Sequence, residues 1–232
     1  MEENVRIRMG NIISYEKNSF RKSIKESWNR CTSYELTHYD SPRVEKVFYG
    51  RMEQLLERYK AILQLADPYI KGLSLIIKNK DYVIGIGGKE GVLLHIQGDV
   101  PYLKQLGYQR GYIHLESHMG TNALGTCIET GKPIIIWGEE HFLKGLKDWA
   151  GFAAPIYMPD NNLEAVLFVM IPVVKACREI MMLVSITANN MEKQLQLLSD
   201  KEELVGIHQM MQEAQDNVME TASIISHEVR NS

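Results

Sequence analysis

From Val173 to the C-terminus the chain contains no proline and one glycine, Gly206. Within that run Leu197, Leu204, Met211, Val218 and Ile225 recur every seven residues, and Ile207 and Ala214 fill a companion seam. A period of seven specifies a helix whose apolar stripe faces another helix. The stripe is interrupted near Asp200 and Gly206. One long helix cannot cover such a stripe by itself, so the sequence predicts a short coiled coil and a parallel homodimer.

Two stretches precede this helix. Residues 1–40 form a helical extension, in which Phe20, Ile24, Trp28 and Cys31 fall on one face and Ser14 is the candidate N-cap. Residues 41–172 form the main domain. A helix is expected from Pro42 to Ala66, ended by Pro68. The apolar segments LSLIIK, DYVIGIG and GVLLHI then read as strands of an antiparallel meander, with turns at Asn79–Asp81 and Gly87–Gly91. MGTNALGTCIETG reads as a short helix beginning near Thr121, with Gly131 as its C′ residue. KPIIIW is a strand, and FAAPIYMPDNNLEAVLFVMIP is a strand, a turn at Pro159–Asn162 and a strand. Strands framed by helices at both ends give the α+β class. Residues 173–232 form the third stretch.

The balance of 26 Lys and Arg against 29 Asp and Glu, net charge -3, gives no electrostatic reason to expect nucleic-acid binding. Cys31, Cys127 and Cys177 are too far apart for a zinc site or a disulfide framework. The N-terminus lacks an apolar signal core, and the longest apolar run, Leu163–Val174, is too short to span a bilayer. A cytoplasmic protein with no membrane segment is therefore expected. Gly85–Gly91 lacks phosphate-loop spacing and reads as a hairpin turn. His114, Glu116, His118, Glu140 and His141 are not in metal-binding register, so no metal is expected. No cofactor is expected either.

The order GTNALGT (Gly120–Thr126) with Glu116 before it, the KP strand, GEEHF (Gly138–Phe142) and WAGFAAPI (Trp149–Ile156) resembles the GAF domains of sigma-54-type activators that respond to acetoin or glycerol. SW-x-RC at Ser27–Cys31 is similar to the N-terminal helix of that group. The resemblance covers about residues 20–190. It implies a central antiparallel sheet flanked by helices and a small-molecule pocket on one side. One departure is Gly151, where the resemblance places a cysteine. The residues expected around a ligand are Tyr112, Leu115, Asn122, Ile134 and Phe152. The GTNALGT segment is at least a capped turn, and its backbone N–H groups are also suited to an anion or polar ligand.

The last segment, ISHEVRNS, resembles the phosphoacceptor box of histidine kinases. That resemblance implies His227 as the nucleophile for a γ-phosphate, Glu228 as its orienting or proton-accepting neighbour, and Asn231 one turn further on the same face. It further implies a kinase ATP-binding domain and a response regulator as partners. The chain contains no ATP-binding domain and is expected to be inactive alone, as one piece of a longer sensor kinase. Two other readings stand beside this one: the sensing module of a sigma-54-type activator, and a free-standing dimeric interaction protein.

Overall fold

The computed structural model describes residues 22–77, 81–98 and 100–230, with side chains in the last helix as far as Gln215. The candidate cap Ser14, the apolar Phe20 and most of the Asn79–Asp81 turn lie outside these residues, as does Asn231. The architecture is α+β, an antiparallel sheet flanked by helices and followed by one long helix.

The five strands are β1 (Val83–Gly88), β2 (Leu93–Gln97), β3 (Ile134–Trp137), β4 (Trp149–Tyr157) and β5 (Leu163–Pro172). They form one sheet in the order β2-β1-β5-β4-β3, with every pairing antiparallel. Strand pleating divides their side chains into two faces. Register puts Val83, Phe168, Met170, Ala153, Ile134 and Ile136 on one face. That face packs into a core with Leu103, Tyr108, Met119, Ala123, Leu124 and Cys127. Ile84, Leu167, Val169 and Phe152 point to the other.

Helix α1 (residues 22–33) carries Ile24 and Cys31 inward, as the sequence pattern requires. The helix expected from Pro42 is displaced. Residues 45–47 are extended instead and bond to the loop beside β2, with Val47 N–H donating to Gly111 and Ile113 N–H donating to Glu45. The helices are α2 (Tyr49–Arg58) and α3 (Lys60–Ile77). Pro68 lies inside α3 rather than ending it. Its ring is on the exposed side, where the carbonyl left without a partner can be solvated. LSLIIK is consequently the last turns of α3 and not a strand.

The glycine-rich segment is also strand for most of its length. Gly85, Gly87 and Gly88 belong to β1, and the turn is confined to residues 89–91. A Cβ on Gly85 would lie 2.5 Å from the His95 carbonyl oxygen, so close chain approach accounts for that glycine. The turn between β4 and β5 follows the sequence: Asn161 takes φ 61° and Asp160 accepts from the Asn162 backbone.

Three short helices, α4 (Pro101–Gln105), α5 (Glu116–Met119) and α6 (Ala123–Thr130), cover the first sheet face. Helix α7 (Glu179–Arg230) is unbroken over 52 residues. The chain divides into two compact units, residues 1–192 and 193–232. The first takes in α1 and the beginning of α7, where Ile180, Val184, Ala188 and Met191 are buried. Among the described residues no helix is long and apolar enough to cross a membrane.

Candidate functional site

Asn122 caps α6. Its Oδ1 accepts from Gly125 N–H at 2.9 Å, while Nδ2 donates to the carbonyls of His114 at 3.1 Å and Gly120 at 2.9 Å. One side chain therefore fixes the helix start and holds the preceding loop against it. Gly120 has φ 63°, and a Cβ there would lie 2.9 Å from the Cβ of Phe142. The GTNALGT turn is thus seated directly on the GEEHF loop.

The polar residues of these motifs meet α1 in a buried knot. Ser27 donates to Glu116 Oε1 at 2.6 Å, and its oxygen lies 2.6 Å from the Thr121 hydroxyl and 3.4 Å from that of Thr126. Arg30 grips the same carboxylate with two donors, Nε to Oε2 at 2.6 Å and Nη2 to Oε1 at 2.9 Å. Glu116 is buried, whereas Arg30 keeps partial access to solvent. A buried carboxylate needs this number of donors to offset its lost hydration. The hydrogen bonds to Glu116 raise the pKa of Arg30, and burial raises that of the Cys31 thiol. On the neighbouring turn Trp28 Nε1 donates to the Glu140 carbonyl at 2.9 Å, and its ring stands edge-on to Phe142 and His38. Every motif that carries the family resemblance, apart from the β3–β4 strands, therefore touches α1.

Two imidazoles, those of His114 and His141, are buried. His114 Nε2 is 2.8 Å from the Gly107 carbonyl and His141 Nδ1 is 3.0 Å from that of Gly138. Each remaining ring nitrogen, Nδ1 of His114 and Nε2 of His141, has no partner. Burial pushes both pKa values down to about 4, against a weaker opposing effect of the carbonyl contact, so both rings are neutral at pH 7. With Nε2–H donating to Gly107, His114 Nδ1 is an unused acceptor in the core. The Tyr108 ring stands edge-on to it at 4.4 Å between centroids, and burial keeps that phenol protonated. Among the described residues no group of three His, Cys, Asp or Glu side chains is placed to hold a metal.

The five residues expected around a ligand do not converge. Asn122 and Ile134 are buried on the α6 side of the sheet, and Asn122 spends its side chain on the cap. Leu115 is half-buried and lies where a Cβ of Gly91 would go. Tyr112 is half-buried, with the Lys46 ammonium over its ring at 5.6 Å. Phe152 pairs with Ile135, one residue out of phase with Ile134, and so lies on the opposite face beside Trp137. No single cavity can be lined by both Phe152 and Ile134. For Gly151 the reason is steric: a Cβ would fall 2.7 Å from that of Ala123 and 2.9 Å from Met170 Sδ. Helix α6 occupies the space a cysteine would need. His227 and Glu228 fall within the helical backbone of α7, and their side chains lie outside the described residues.

Comparison with known proteins gives a consistent result. Residues 12–196 match the family described as MimR, N-terminal domain. The acetoin dehydrogenase operon transcriptional activator AcoR of Bacillus subtilis is 28% identical over 201 residues, 85% of this chain and 33% of that protein. A signal-transduction and transcriptional-control protein of Clostridium beijerinckii is 26% identical over 204 residues, 86% of this chain and 32% of that one. The chain spans about a third of the length of these relatives. Among solved structures, the crystal structure of the Escherichia coli DhaR(N)–DhaL complex superposes with a TM-score of 0.73 at 21% identity, over 79% of this chain and 64% of that one, and shows the same fold.

Proposed function

The chain belongs to the MimR N-terminal domain family, and from that premise we propose that it is the signal-receiving domain of a bacterial transcriptional activator. This replaces the sensor histidine kinase as the leading reading, because the named relatives are transcriptional regulators. In this reading the α6 side of the sheet receives the signal, and α7 carries the response to whatever follows it in a dimeric regulator.

The observation that carries the reading is the unused acceptor of His114 beside the Tyr108 phenol. An unpaired polar atom in a core is costly, and a ligand that supplies a donor removes the cost. An acceptor and a protonated phenol together suit a small neutral molecule with a hydroxyl beside a carbonyl. The Bacillus relative is named for an operon that handles such a molecule. A protein signal is the other candidate, since DhaR(N) is seen in complex with DhaL.

Calorimetric titration of the full chain with acetoin and related hydroxy-ketones and diols tests the proposal. Saturable binding is expected, weakened about tenfold by Tyr108→Phe, which removes one hydrogen bond and leaves the ring in place. Absence of heat with the whole series, in a protein that circular dichroism shows to be folded, would assign the signal to a protein partner instead. Phosphotransfer at His227, aided by Glu228 and Asn231, is kept as a second reading. It rests on the resemblance of ISHEVRNS to a phosphoacceptor box, and the unbroken course of α7 through that position is common to both readings. The coding sequence downstream of Ser232 separates the readings: an ATP-binding kinase domain supports phosphotransfer, whereas a Walker A motif and helix-turn-helix support the activator.

A further inference from the structure

Helix α6 is held at both ends by hydrogen bonds that leave it. At its start Asn122 Nδ2 donates to the His114 carbonyl at 3.1 Å, and a Cβ on Gly125 would lie 2.7 Å from the same oxygen. At its end Gly131 takes φ 61°, its N–H returns to the Cys127 carbonyl at 2.9 Å, and its own carbonyl accepts from the Tyr157 hydroxyl at 2.6 Å. A Cβ on Gly131 would lie 2.8 Å from that hydroxyl oxygen, so the phenol is pressed against the helix end. Burial, with Cys127 and Glu192 nearby, raises the pKa of Tyr157 and keeps it a donor.

Tyr157 also reaches a second helix. Ala153 lies on the α6 face of the sheet, and Tyr157 is two pleat repeats further along β4, which aims its ring at α6. The register of β4 against β5 shifts between Ile156 and Tyr157, and the Tyr157 N–H donates to Glu192 Oε1 at 2.8 Å. A carboxylate acceptor makes such a bond stronger than a neutral one. Glu192 stands one turn beyond the buried Ala188 on α7 and next to the buried Met191. It belongs to the same compact unit as the sheet and α6. The side chain of one residue therefore holds α6, and its backbone holds α7.

We propose that Tyr157 and Glu192 are positioning residues that couple the two helices, so that a displacement of α6 at its His114 end changes how tightly α7 is held at Glu192. This rests on the reading that the α6 side of the sheet receives the signal. With 8 residues α6 is about 12 Å long, short enough to shift as one piece. A shift carries the Gly131 carbonyl with it. The Tyr157 hydroxyl, at 2.6 Å, must then follow or let go. Following re-aims the backbone N–H that holds Glu192, at a point where the strand pairing is already irregular and so able to bend.

Hydrogen exchange read by mass spectrometry on the full chain tests the coupling, with strand β1 as the internal reference for any global change. Tyr157→Phe removes the hydroxyl bonded to α6 and keeps the amide bonded to Glu192. Exchange should quicken severalfold at residues 188–192 of α7 as well as at residues 127–131 of α6. Glu192→Ala should quicken the same two segments, because coupling between two places is reciprocal. Glu192→Gln keeps an acceptor oxygen for the Tyr157 amide and should exchange as the wild type does. Gly125→Ala, which wedges the His114 end of α6, should quicken residues 188–192 in the wild-type background and add nothing in the Tyr157→Phe background. All of these are measured without ligand, so a chain that binds nothing in the calorimeter can still show the coupling, and one that binds can lack it. Loosening confined to α6 in Tyr157→Phe, or to α7 in Glu192→Ala, overturns the proposal. A Glu192→Gln chain as loose as Glu192→Ala overturns the part of the amide bond. A Gly125→Ala effect that is absent at residues 188–192, or that persists there in Tyr157→Phe, overturns Tyr157 as the route from the His114 end.

Discussion

Glu116→Ala should cost about 3 kcal/mol of folding stability, near the lower end of what breaking a buried ion pair costs. The carboxylate is almost wholly buried and takes hydrogen bonds from Ser27 and twice from Arg30. Removing it leaves the guanidinium without its partner and takes one of the partners of the Ser27 hydroxyl. Arg30 is 29% exposed and can turn part of its charge to water, which keeps the loss from being larger. In a chain of this size the loss corresponds to a fall of roughly 6–12 °C in melting temperature. Thermal unfolding followed by circular dichroism measures it. Adding Arg30→Ala to Glu116→Ala should cost little more, because that arginine has already lost its partner. A Glu116→Ala variant that melts within about 1 °C of wild type would mean the knot does not hold α1 in place.

Gly125→Ala is expected to destabilise by about 2 kcal/mol, although helix propensity alone favours alanine by up to about 1 kcal/mol. The new Cβ would lie 2.7 Å from the His114 carbonyl oxygen, 2.8 Å from Asn122 Nδ2 and 2.9 Å from the Glu116 amide nitrogen. Two of these atoms are backbone and cannot rotate away. Gly72→Ala in α3 is the matched control: nothing lies within 4 Å of its Cβ position, so the same substitution should stabilise slightly. Chemical denaturation of the two variants side by side gives opposite signs if α6 is seated as described. A stabilised Gly125→Ala protein would show that α6 has room to move off the 114–116 loop.

Local chemistry written in consecutive residues was legible from the sequence. The β4–β5 turn, the strand at Ile134–Trp137, the short helix with Gly131 at its end and the antiparallel α+β class all follow from turn residues and periodicity. What failed depends on the side of an element that faces solvent. Pro68 reads as a stop because sequence does not reveal that its ring points outward. LSLIIK reads as a strand because a short apolar run has no period of its own. Phe152 cannot be separated from Ile134 by sequence because strand register, not residue type, decides the face. The site was half legible. Ser27, Arg30, Glu116 and Thr121 were each visible inside motifs, yet nothing in a linear string shows that these four polar residues from two distant segments form one hydrogen-bonded knot. Tyr108 had no signal at all, since an aromatic in an apolar region looks like ordinary core.

The separation of those segments governs when the fold can be completed. Ser27 and Arg30 find their partners between 86 and 99 residues further along the chain. At ribosomal rates of about 5–20 residues per second, that interval is roughly 5–20 s of synthesis. During it, α1 has been made but its apolar residues Ile24 and Cys31 have nothing to cover them. Helix α1 is thus made well before the residues that bind it, and through that interval it is an exposed amphipathic segment that chaperones can reach.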